Sequence, residues 1–368
     1  IQEGDFSMIL GYPGRTNRWM PAAGIDQNVN FAYPAWVEAS KTGMDAMKKY
    51  MDKDQSVNIN YASKYSGVAN YWKNRQGMID ALTKHNTSAS KANLEKEFNK
   101  WANKKENKAQ YGDVIKTINA YYAANNLKAR HDNYLTGLIR SSTFGALPAT
   151  LGNALKQYAE ANEAKRTELK PRLQAYIADS YDKIYLPLEI EVLADELNLY
   201  YAKAGAVAPY IAELGTQNNA NFNSTVQTAF DNSIFGSQEK ITAFLENPSA
   251  AQVDEDPLYK IASSLMNKYR ERTPEQEQAD ENFQAALRKY IAGFLVMNPN
   301  GKYYPDANST LRLTYGTVRA LPEDARNDAA INNYTTLEGT IAKYKPNDEE
   351  FDLPAKLIAL HNKKDYGR

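Results

Sequence analysis

Helical periodicity dominates the chain from residue 34 to residue 297. Apolar residues recur three and four positions apart over most of this stretch, which is typical of helices that bury one face. The pattern predicts helices over these ranges: 34–54, 60–84, 90–108, 112–125, 127–144, 148–166, 168–204, 206–214, 222–231, 237–246, 257–271 and 274–297. We expect a kink or a break at Pro187, within the longest range, because proline removes a backbone donor and clashes with the preceding turn.

Two helix starts late in this stretch carry capping signals. Asp256 precedes Pro257, so the aspartate can cap a helix in which proline takes the first position. Thr273 and Gln276 have the spacing of a capping box around Pro274. The helix that follows is expected to turn these apolar residues inward: Phe283, Leu287, Tyr290, Ile291, Phe294 and Leu295.

Strand-like sequence is confined to regions near the two ends of the chain. Residues 6–10 form a short apolar run that enters a turn at 11–14 and is followed by Arg15 and Arg18. Residues 309–315 alternate in the manner of a strand, after a turn signal at 298–301, and helical patches follow at 332–344 and 353–363. The pattern indicates a mainly α chain in which a large helical insert interrupts a β framework.

The composition narrows the function classes. The chain carries 44 basic and 44 acidic side chains, and a net charge of zero argues against a general nucleic-acid or membrane-surface binder. No apolar run reaches the roughly 18 residues that a membrane span needs, so we expect no membrane insertion. The absence of cysteine excludes disulfides and thiolate nucleophiles, and it is compatible with a bacterial periplasmic or secreted protein.

No catalytic or metal-binding motif is complete in this sequence. None of the histidines, His85, His131 and His361, has a second ligand at metal-binding spacing, and we expect His85 and His131 on helix surfaces or ends. No G-x-S-x-G elbow and no credible Ser-His-Asp set occurs, and the turn at 11–14 lacks the lysine of a phosphate loop. The segment that begins at Asp52 lacks the glycine and glutamate of a calcium loop. We therefore expect no metal and no cofactor.

The segment 70–74 is the densest candidate for ligand recognition. Asn70 and Asn74 lie one helical turn apart on the same face, with Tyr71, Trp72 and Lys73 between them. A carboxamide oxygen can accept a hydrogen bond from a ligand ammonium group, and an aromatic ring face attracts cations. An ordinary amphipathic helix with Trp72 in the core explains the same pattern.

A further candidate patch spans residues 304–316. Asp306 and Asn308 suit a turn that is closed by side-chain hydrogen bonds ahead of the strand. Arg312 alternates with Leu311 and Leu313, so its side chain points away from theirs and, if buried, needs an acidic partner. A solvated strand face is the ordinary explanation of this patch.

Four stretches, taken in their order, resemble the bacterial dipeptidyl-peptidases 7 and 11. They are GDF at 4–6, GYPGRTNR at 11–18, KYSGVANYWKN at 64–74 and YPDANSTLRLTYG at 304–316. The resemblance implies a serine exopeptidase with a chymotrypsin-like double β-barrel and a large inserted helical cap. On this basis residues 1–19 are expected to end the first barrel half, 20–300 to form the helical cap domain, and 301–368 to start the second barrel part with short helices.

The resemblance also implies roles for particular positions. The stretches that carry the family's catalytic histidine and serine are absent, and its catalytic aspartate does not map to Asp5. The chain is therefore expected to be an inactive internal part of an enzyme that removes dipeptides from oligopeptides with a free N-terminus. The family's asparagine that grips the substrate's α-amino group maps to Asn70, with Tyr71 and Trp72 packed behind it. A periplasmic or secreted location and a homodimer of the full-length enzyme are further expectations.

An alternative from another function class is a non-catalytic helical protein of the bacterial envelope that binds peptides or glycans. The 26 tyrosines support it, since tyrosine combines a large ring with a hydrogen-bonding hydroxyl, and so does the missing triad. The parent reading frame distinguishes the two hypotheses. Catalytic stretches upstream and downstream favour the enzyme, whereas a natural end near Arg368 favours the binder.

Overall fold

The computed structural model describes residues 1–320, 334–348 and 351–367. Its contacts divide the chain into two compact units, of which the first comprises residues 1–19 and 304–368 and the second comprises residues 20–303. The described chain is mainly helical, as the sequence pattern predicts. Across the described ranges, no helix has both the length and the apolar content to cross a membrane.

Helices account for almost all of the second unit. A π-helical turn at Asn28–Ala32 and 3₁₀ turns at Thr143–Gly145 and Ile234–Gly236 lie between its α-helices. The α-helices are, in chain order, α1 (Ala22–Gln27), α2 (Tyr33–Met51), α3 (Gln55–Lys84), α4 (Thr87–Ala102), α5 (Lys108–Tyr111), α6 (Val114–Ser141), α7 (Leu147–Glu160), α8 (Glu163–Tyr181), α9 (Leu186–Lys203), α10 (Pro209–Gln217), α11 (Phe222–Asn232), α12 (Gln238–Phe244), α13 (Ala250–Glu255), α14 (Pro257–Arg270) and α15 (Pro274–Met297).

Among the described residues of this unit, two hydrophobic cores position the helices around α3. The larger lies mainly among α6 to α14, and its fully buried members include Leu135, Leu138, Phe144, Leu151 and Leu197. The smaller joins α2, α3 and α9 through apolar side chains of all three helices: Met44, Met47, Val57, Tyr61, Val68, Leu188 and Val192. The smaller core therefore fixes the first half of α3, the helix that carries Asn70.

The ranges 112–125 and 127–144, predicted as separate helices, form the single helix α6. Asn125 and Asn126 lie at the predicted interruption. In the structure Asn125 donates to the carbonyl of Tyr121 at 2.8 Å, and the Asn126 carboxamide accepts from Gln27 at 3.1 Å. The helix continues because these side chains find partners without breaking the backbone ladder.

The predicted break at Pro187 is confirmed, and the long range 168–204 divides there. Helix α8 ends at Tyr181 and α9 begins at Leu186, so Pro187 occupies the first turn, where its missing N–H has no helical partner to lose.

Two smaller predictions are wrong. Helix α4 ends at Ala102 rather than near residue 108, and Leu295 is 43% exposed because it lies beside the buried stripe of α15.

His131 is buried within α6, which contradicts its predicted surface position. Its Nε2 lies 2.8 Å from the Tyr200 hydroxyl and its Nδ1 lies 3.0 Å from Asp132. The Tyr200 hydroxyl also accepts a hydrogen bond from the backbone N–H of Ala208 at 3.1 Å. The imidazole can be buried because both of its nitrogens have partners. His85 lies at the C-terminal end of α3, as predicted.

The predicted caps of α14 and α15 are both confirmed. Asp256 accepts hydrogen bonds from the backbone N–H groups of Leu258 and Tyr259, each at 3.0 Å. The same buried carboxylate accepts from the Ser233 hydroxyl at 2.8 Å and from the backbone of Ile234 at 2.7 Å. The cap of α14 thus also holds the preceding 3₁₀ turn in place. At α15 the Thr273 and Gln276 capping box is present.

The first unit contains an antiparallel two-stranded sheet, with helices α16 (Leu337–Ala342) and α17 (Ala355–Lys363) elsewhere in it. Strand β1 (Phe6–Gly11) pairs with β2 (Arg312–Thr317), and Phe6 lies opposite Thr317. The predicted strand at 309–315 therefore begins and ends slightly later. The predicted helical patch at 332–344 begins outside the described residues.

The turn ahead of β2 is closed by side chains, as its sequence suggests. Asp306 accepts hydrogen bonds from the Thr16 hydroxyl and from the backbone of Arg18, both at 2.7 Å. Arg312 donates to the Asp306 carbonyl at 3.0 Å and to the Asn308 side chain at 3.3 Å. The contacts of Asp306 join the segment after β1 to the segment before β2, at the end of the sheet where Gly11 pairs with Arg312, so the patch at 304–316 has a structural explanation.

Candidate functional site

Asn70 lies on the solvent-facing side of α3. The buried stripe of this helix passes through Tyr61 and Val68, and Asn70 is about 200° around the helix axis from Val68. Its side chain is exposed, and no hydrogen bond within the described part of the chain engages its carboxamide. Asn74 lies one turn further on the same side, where its Oδ1 accepts a hydrogen bond from Arg75 at 3.2 Å. Asn70 therefore presents an open acceptor.

Tyr71 and Trp72 lie at the edges of the buried stripe. Trp72 is half-buried and packs against the smaller core, as the ordinary amphipathic explanation predicts. Tyr71 is 38% exposed, and its ring centroid lies 5.8 Å from that of the buried Trp36 in α2. The two aromatic residues after Asn70 thus attach this part of α3 to the helices behind it.

Two guanidinium groups stack on the aromatic side chains beside Asn70. The Arg75 guanidinium carbon lies 4.8 Å from the ring centre of Tyr33 and 5.6 Å from that of Trp36. The Arg140 guanidinium, on α6, lies 4.3 Å from the Tyr71 ring and 5.8 Å from the Trp36 ring. Each such contact contributes about 0.5–1 kcal/mol at an exposed site. Together they connect the middle of α3 to α2 and α6.

A buried carboxylate holds the first half of α3. Glu189 of α9 is 1% exposed and accepts hydrogen bonds from the Tyr61 hydroxyl and the Lys64 ammonium group, both at 3.1 Å. It also accepts from the backbone N–H of Thr143 at 3.0 Å and from its hydroxyl at 2.7 Å. Burial, followed by the charge of Glu189, raises the pKa of Tyr61, so this phenol stays a donor at physiological pH. These hydrogen bonds restrict the motion of α3, the helix that carries Asn70.

Another buried carboxyl lies at the contact of α2, α6 and α9. A Cβ atom added at Gly43 would lie 2.5 Å from Ser141 Oγ and 2.8 Å from Glu196 Oε1, so only glycine permits this approach. Burial raises the pKa of Glu196 to about 8, because the ionised form loses its hydration. The carboxyl is therefore largely protonated at neutral pH. Among the described residues no cluster of three or more His, Cys, Asp or Glu side chains could hold a metal ion, so Glu196 does not belong to such a cluster.

Sequence reasoning selected Asn70, Tyr71 and Trp72 as candidates, and this assignment stays a prediction, but it missed the residues that hold them. Trp36, Arg140 and Glu189 come from three other helices, and their sequence neighbourhoods carry no motif. A signal existed only for Glu189, because an acidic residue within the apolar stripe of a predicted helix requires a partner. The structure brings these supports to α3, whereas the patch at 304–316 belongs to the other unit.

Comparison with known proteins identifies the family. The sequence model of peptidase S46 matches residues 1–368. The chain belongs to the peptidase S46 family. The resemblance drawn from the four ordered stretches is therefore confirmed, and the match extends over the whole sequence.

Relatives of this S46 chain are dipeptidyl-peptidases. Dipeptidyl-peptidase 7 of Capnocytophaga gingivalis is 44% identical over 370 residues, which cover 100% of this chain and 52% of that protein. An Asp/Glu-specific dipeptidyl-peptidase of Flavobacterium psychrophilum is 31% identical over 374 residues, again 100% of this chain and 52% of that protein. The chain spans about half the length of the curated relatives that it matches.

A solved structure of the family shares the fold. DPP11 of Porphyromonas endodontalis in complex with the dipeptide Arg-Glu matches with a TM-score of 0.79 and 25% identity, over 100% of this chain and 52% of that chain. The same protein in complex with Arg-Asp gives a TM-score of 0.78 at 26% identity, over the same shares of the two chains. This likeness confirms the predicted fold class, a large helical domain with partial β segments at its two ends.

Proposed function

We propose that this chain is the internal part of a bacterial serine-type dipeptidyl-peptidase, in which residues 20–300 cap the bound substrate. The family match and the names of the relatives support a peptidase rather than a non-catalytic envelope binder. The catalytic histidine and serine belong to segments outside this chain, so the chain by itself has no peptidase activity. The full enzyme works in the periplasm or outside the cell and takes oligopeptides with a free N-terminus.

Asn70 is the residue that we assign to the substrate's α-amino group. The observation that supports this role is its exposed carboxamide, which has no competing hydrogen bond from any described residue, on a helix held by the Glu189 network and the guanidinium stack. An ammonium group carries three donors and no acceptor, and a carboxamide oxygen accepts without becoming protonated. A fixed acceptor selects peptides with a free N-terminus and sets where cleavage occurs.

Tyr71 and Trp72 act behind Asn70 rather than on the reacting bond. Trp72 packs against the smaller core and Tyr71 lies between Trp36 of α2 and the Arg140 guanidinium, so both limit the motion of the Asn70 backbone. The exposed part of the Tyr71 side chain also offers a surface to the first substrate residue. The peptide bond itself is cleaved through an acyl-enzyme step by residues outside this chain.

Steady-state kinetics of the full-length enzyme test the assignment of Asn70. Asn70→Ala removes one hydrogen bond to a charged group, worth about 1.5–3 kcal/mol, so kcat/KM for a dipeptidyl fluorogenic substrate should fall about 10- to 150-fold. Asn74→Ala is the matched control, because Asn74 is the same residue type on the same face one turn away. Equal activity of the Asn70→Ala variant and the wild type would rule out the anchor, provided that both have the same melting temperature.

A further inference from the structure

Two adjoining cavities lie on the part of the helical unit formed by α6, α10 and α14. The larger, of about 700 Å³, is bounded by the start of α10, by α14 and by the connection from α14 to α15. The smaller, of about 300 Å³, is bounded by α6 and by the connection from α9 to α10. Lys268 and Glu271 line both cavities and form an ion pair at 2.6 Å, so this pair marks the shared wall.

The cavity walls are basic although the chain as a whole has no net charge. Two of the described residues that line them carry carboxylates, Asp132 and Glu271. The wall residues with positively charged side chains are six, namely Lys128, Arg130, Lys260, Lys268, Arg270 and Arg272. A local excess of this size creates a positive potential that attracts anionic ligands.

The three wall lysines are neutralised, whereas the three arginines are not. Lys128 pairs with Asp132 at 2.5 Å, Lys268 pairs with Glu271, and Lys260 pairs with Glu255 beside the wall. Within the described ranges no carboxylate lies in ion-pair distance of the arginines of the wall, which are Arg130, Arg270 and Arg272. The guanidinium groups therefore remain available for an external anion.

Two of these arginines are close in sequence and both are exposed. Arg270 is the last residue of α14, and Arg272 follows two positions later in the connection to α15. Arg272 uses one nitrogen to donate to the Glu271 carbonyl at 2.7 Å, which leaves other donors of its planar fork. A guanidinium fork matches the two oxygens of a carboxylate and binds it with parallel hydrogen bonds.

The larger cavity also offers neutral contacts of the kind that peptides use. The rings of Tyr210 and Tyr259 line it, together with the hydroxyl of Ser263 and the carboxamide of Asn267. Tyrosine rings bind apolar side chains at small entropic cost, and hydroxyl and amide groups can pair with a peptide backbone. A nucleic acid or another polyphosphate fits less well, because the wall lysines are already paired and the three wall arginines are fewer than the roughly 6–10 phosphate contacts that such ligands make.

The two adjoining cavities together form a basic, tyrosine-lined groove. We propose that this groove binds an acidic peptide segment, whose carboxylates pair with Arg270 and Arg272. The ligand is a peptide that carries aspartate or glutamate side chains along its length. The groove uses none of the residues assigned to the substrate's amino group, so this inference stands apart from the proposed function. It gives the helical unit a second contact with peptides that is independent of a free N-terminus.

Fluorescence anisotropy on the full chain tests the groove. The probe is a fluorescein-labelled peptide of alternating glutamate and leucine with an acetylated N-terminus, which removes the ammonium group that Asn70 would bind. Its twin has glutamine in place of every glutamate. We expect the acidic peptide to bind at least about tenfold more tightly than the twin, the change expected from one charge-assisted hydrogen bond.

Paired variants separate a specific groove from general charge attraction. The double variant Arg270→Gln with Arg272→Gln should lose the preference for the acidic peptide. The control Arg172→Gln with Arg288→Gln changes net charge equally at exposed positions of α8 and α15 and should keep it. The reversed variant Arg270→Glu with Arg272→Glu should instead prefer a lysine-containing twin. Circular dichroism confirms that each variant is folded.

Several results would overturn the proposal. One is equal binding of the acidic peptide and its glutamine twin, or no binding of either. Another is an equal loss in the control variant, which would indicate general attraction to positive charge. Displacement of the acidic peptide by a polyphosphate chain at equal charge concentration would assign the groove to a different class of ligand.

Discussion

One buried carboxyl should make the stability of the helical unit depend on pH. Glu196 is 1% exposed between α2, α6 and α9, and within the described residues its Oε1 has no hydrogen-bond partner. Burial raises its pKa from 4.5 to about 8. The folded chain therefore holds a proton on Glu196 at pH values where the unfolded chain has already released it.

The sign and size of the effect follow from this difference. Below pH 4.5 both states carry the proton, and Glu196 adds no pH dependence. As the pH rises from 4.5 to about 8, the Glu196 carboxyl loses its proton only in the unfolded chain, and the free energy of unfolding therefore falls. At about 1.36 kcal/mol per pKa unit, the loss reaches about 5 kcal/mol once the pH is above 8. Glu196→Gln keeps the shape of the side chain and removes this loss.

Urea unfolding of the wild type and the Glu196→Gln variant measures the effect. We expect similar stability near pH 5 and an advantage of the variant that grows toward pH 8, because only the wild type must keep a buried proton. Glu97→Gln, at an exposed position of α4, is the control and should leave the pH profile unchanged. Parallel profiles for the wild type and the Glu196→Gln variant would show that the Glu196 carboxyl ionises in the folded chain at its ordinary pKa and would refute the reasoning.

Further predictions concern caps and glycines, and all are measured as urea midpoints. Asp256→Ala removes the cap of α14 and the bonds to the preceding turn, so we expect a loss of about 2–4 kcal/mol. An unchanged midpoint would contradict this. Gly43→Ala brings a methyl group within 2.5 Å of Ser141 and should cost about 1–3 kcal/mol. Gly67→Ala, with no atom near its added methyl in α3, should gain about 0.5–1 kcal/mol. Shifts of the same sign in both glycine variants would contradict the packing argument.

The helices could be predicted from the sequence because the apolar residues of each buried face recur three and four positions apart. The helix caps were also predictable, because Asp256 and Thr273 accept hydrogen bonds from backbone N–H groups only two or three residues later. The errors arose at positions where the side chain contacts a residue that is distant in the sequence, because the prediction rules consider only neighbouring residues. Asn126, at the predicted interruption, accepts a hydrogen bond from the distant Gln27, and His131, predicted at the surface, is hydrogen-bonded to the distant Tyr200 in the core.

The candidate site was predictable only in part, for a related reason. Asn70 and its aromatic neighbours form a compact motif in one helix, and the resemblance to S46 peptidases identifies that motif. Their supports, Arg140 and Glu189, lie far away in the sequence and reach α3 only through helix packing. Periodicity reveals which face is buried, but it does not reveal which helix covers that face.

The interaction between Asn70 and a substrate's α-amino group is measured most directly by a double-mutant cycle. Inhibition constants of a dipeptide and its desamino analogue are determined for the full-length wild type and the Asn70→Ala variant. We predict a coupling energy of about 1.5–3 kcal/mol, because only the wild-type enzyme and the amine-bearing dipeptide form the charged hydrogen bond. A coupling energy of zero, with both ligands affected equally by the substitution, would contradict the assignment of Asn70 as the anchor.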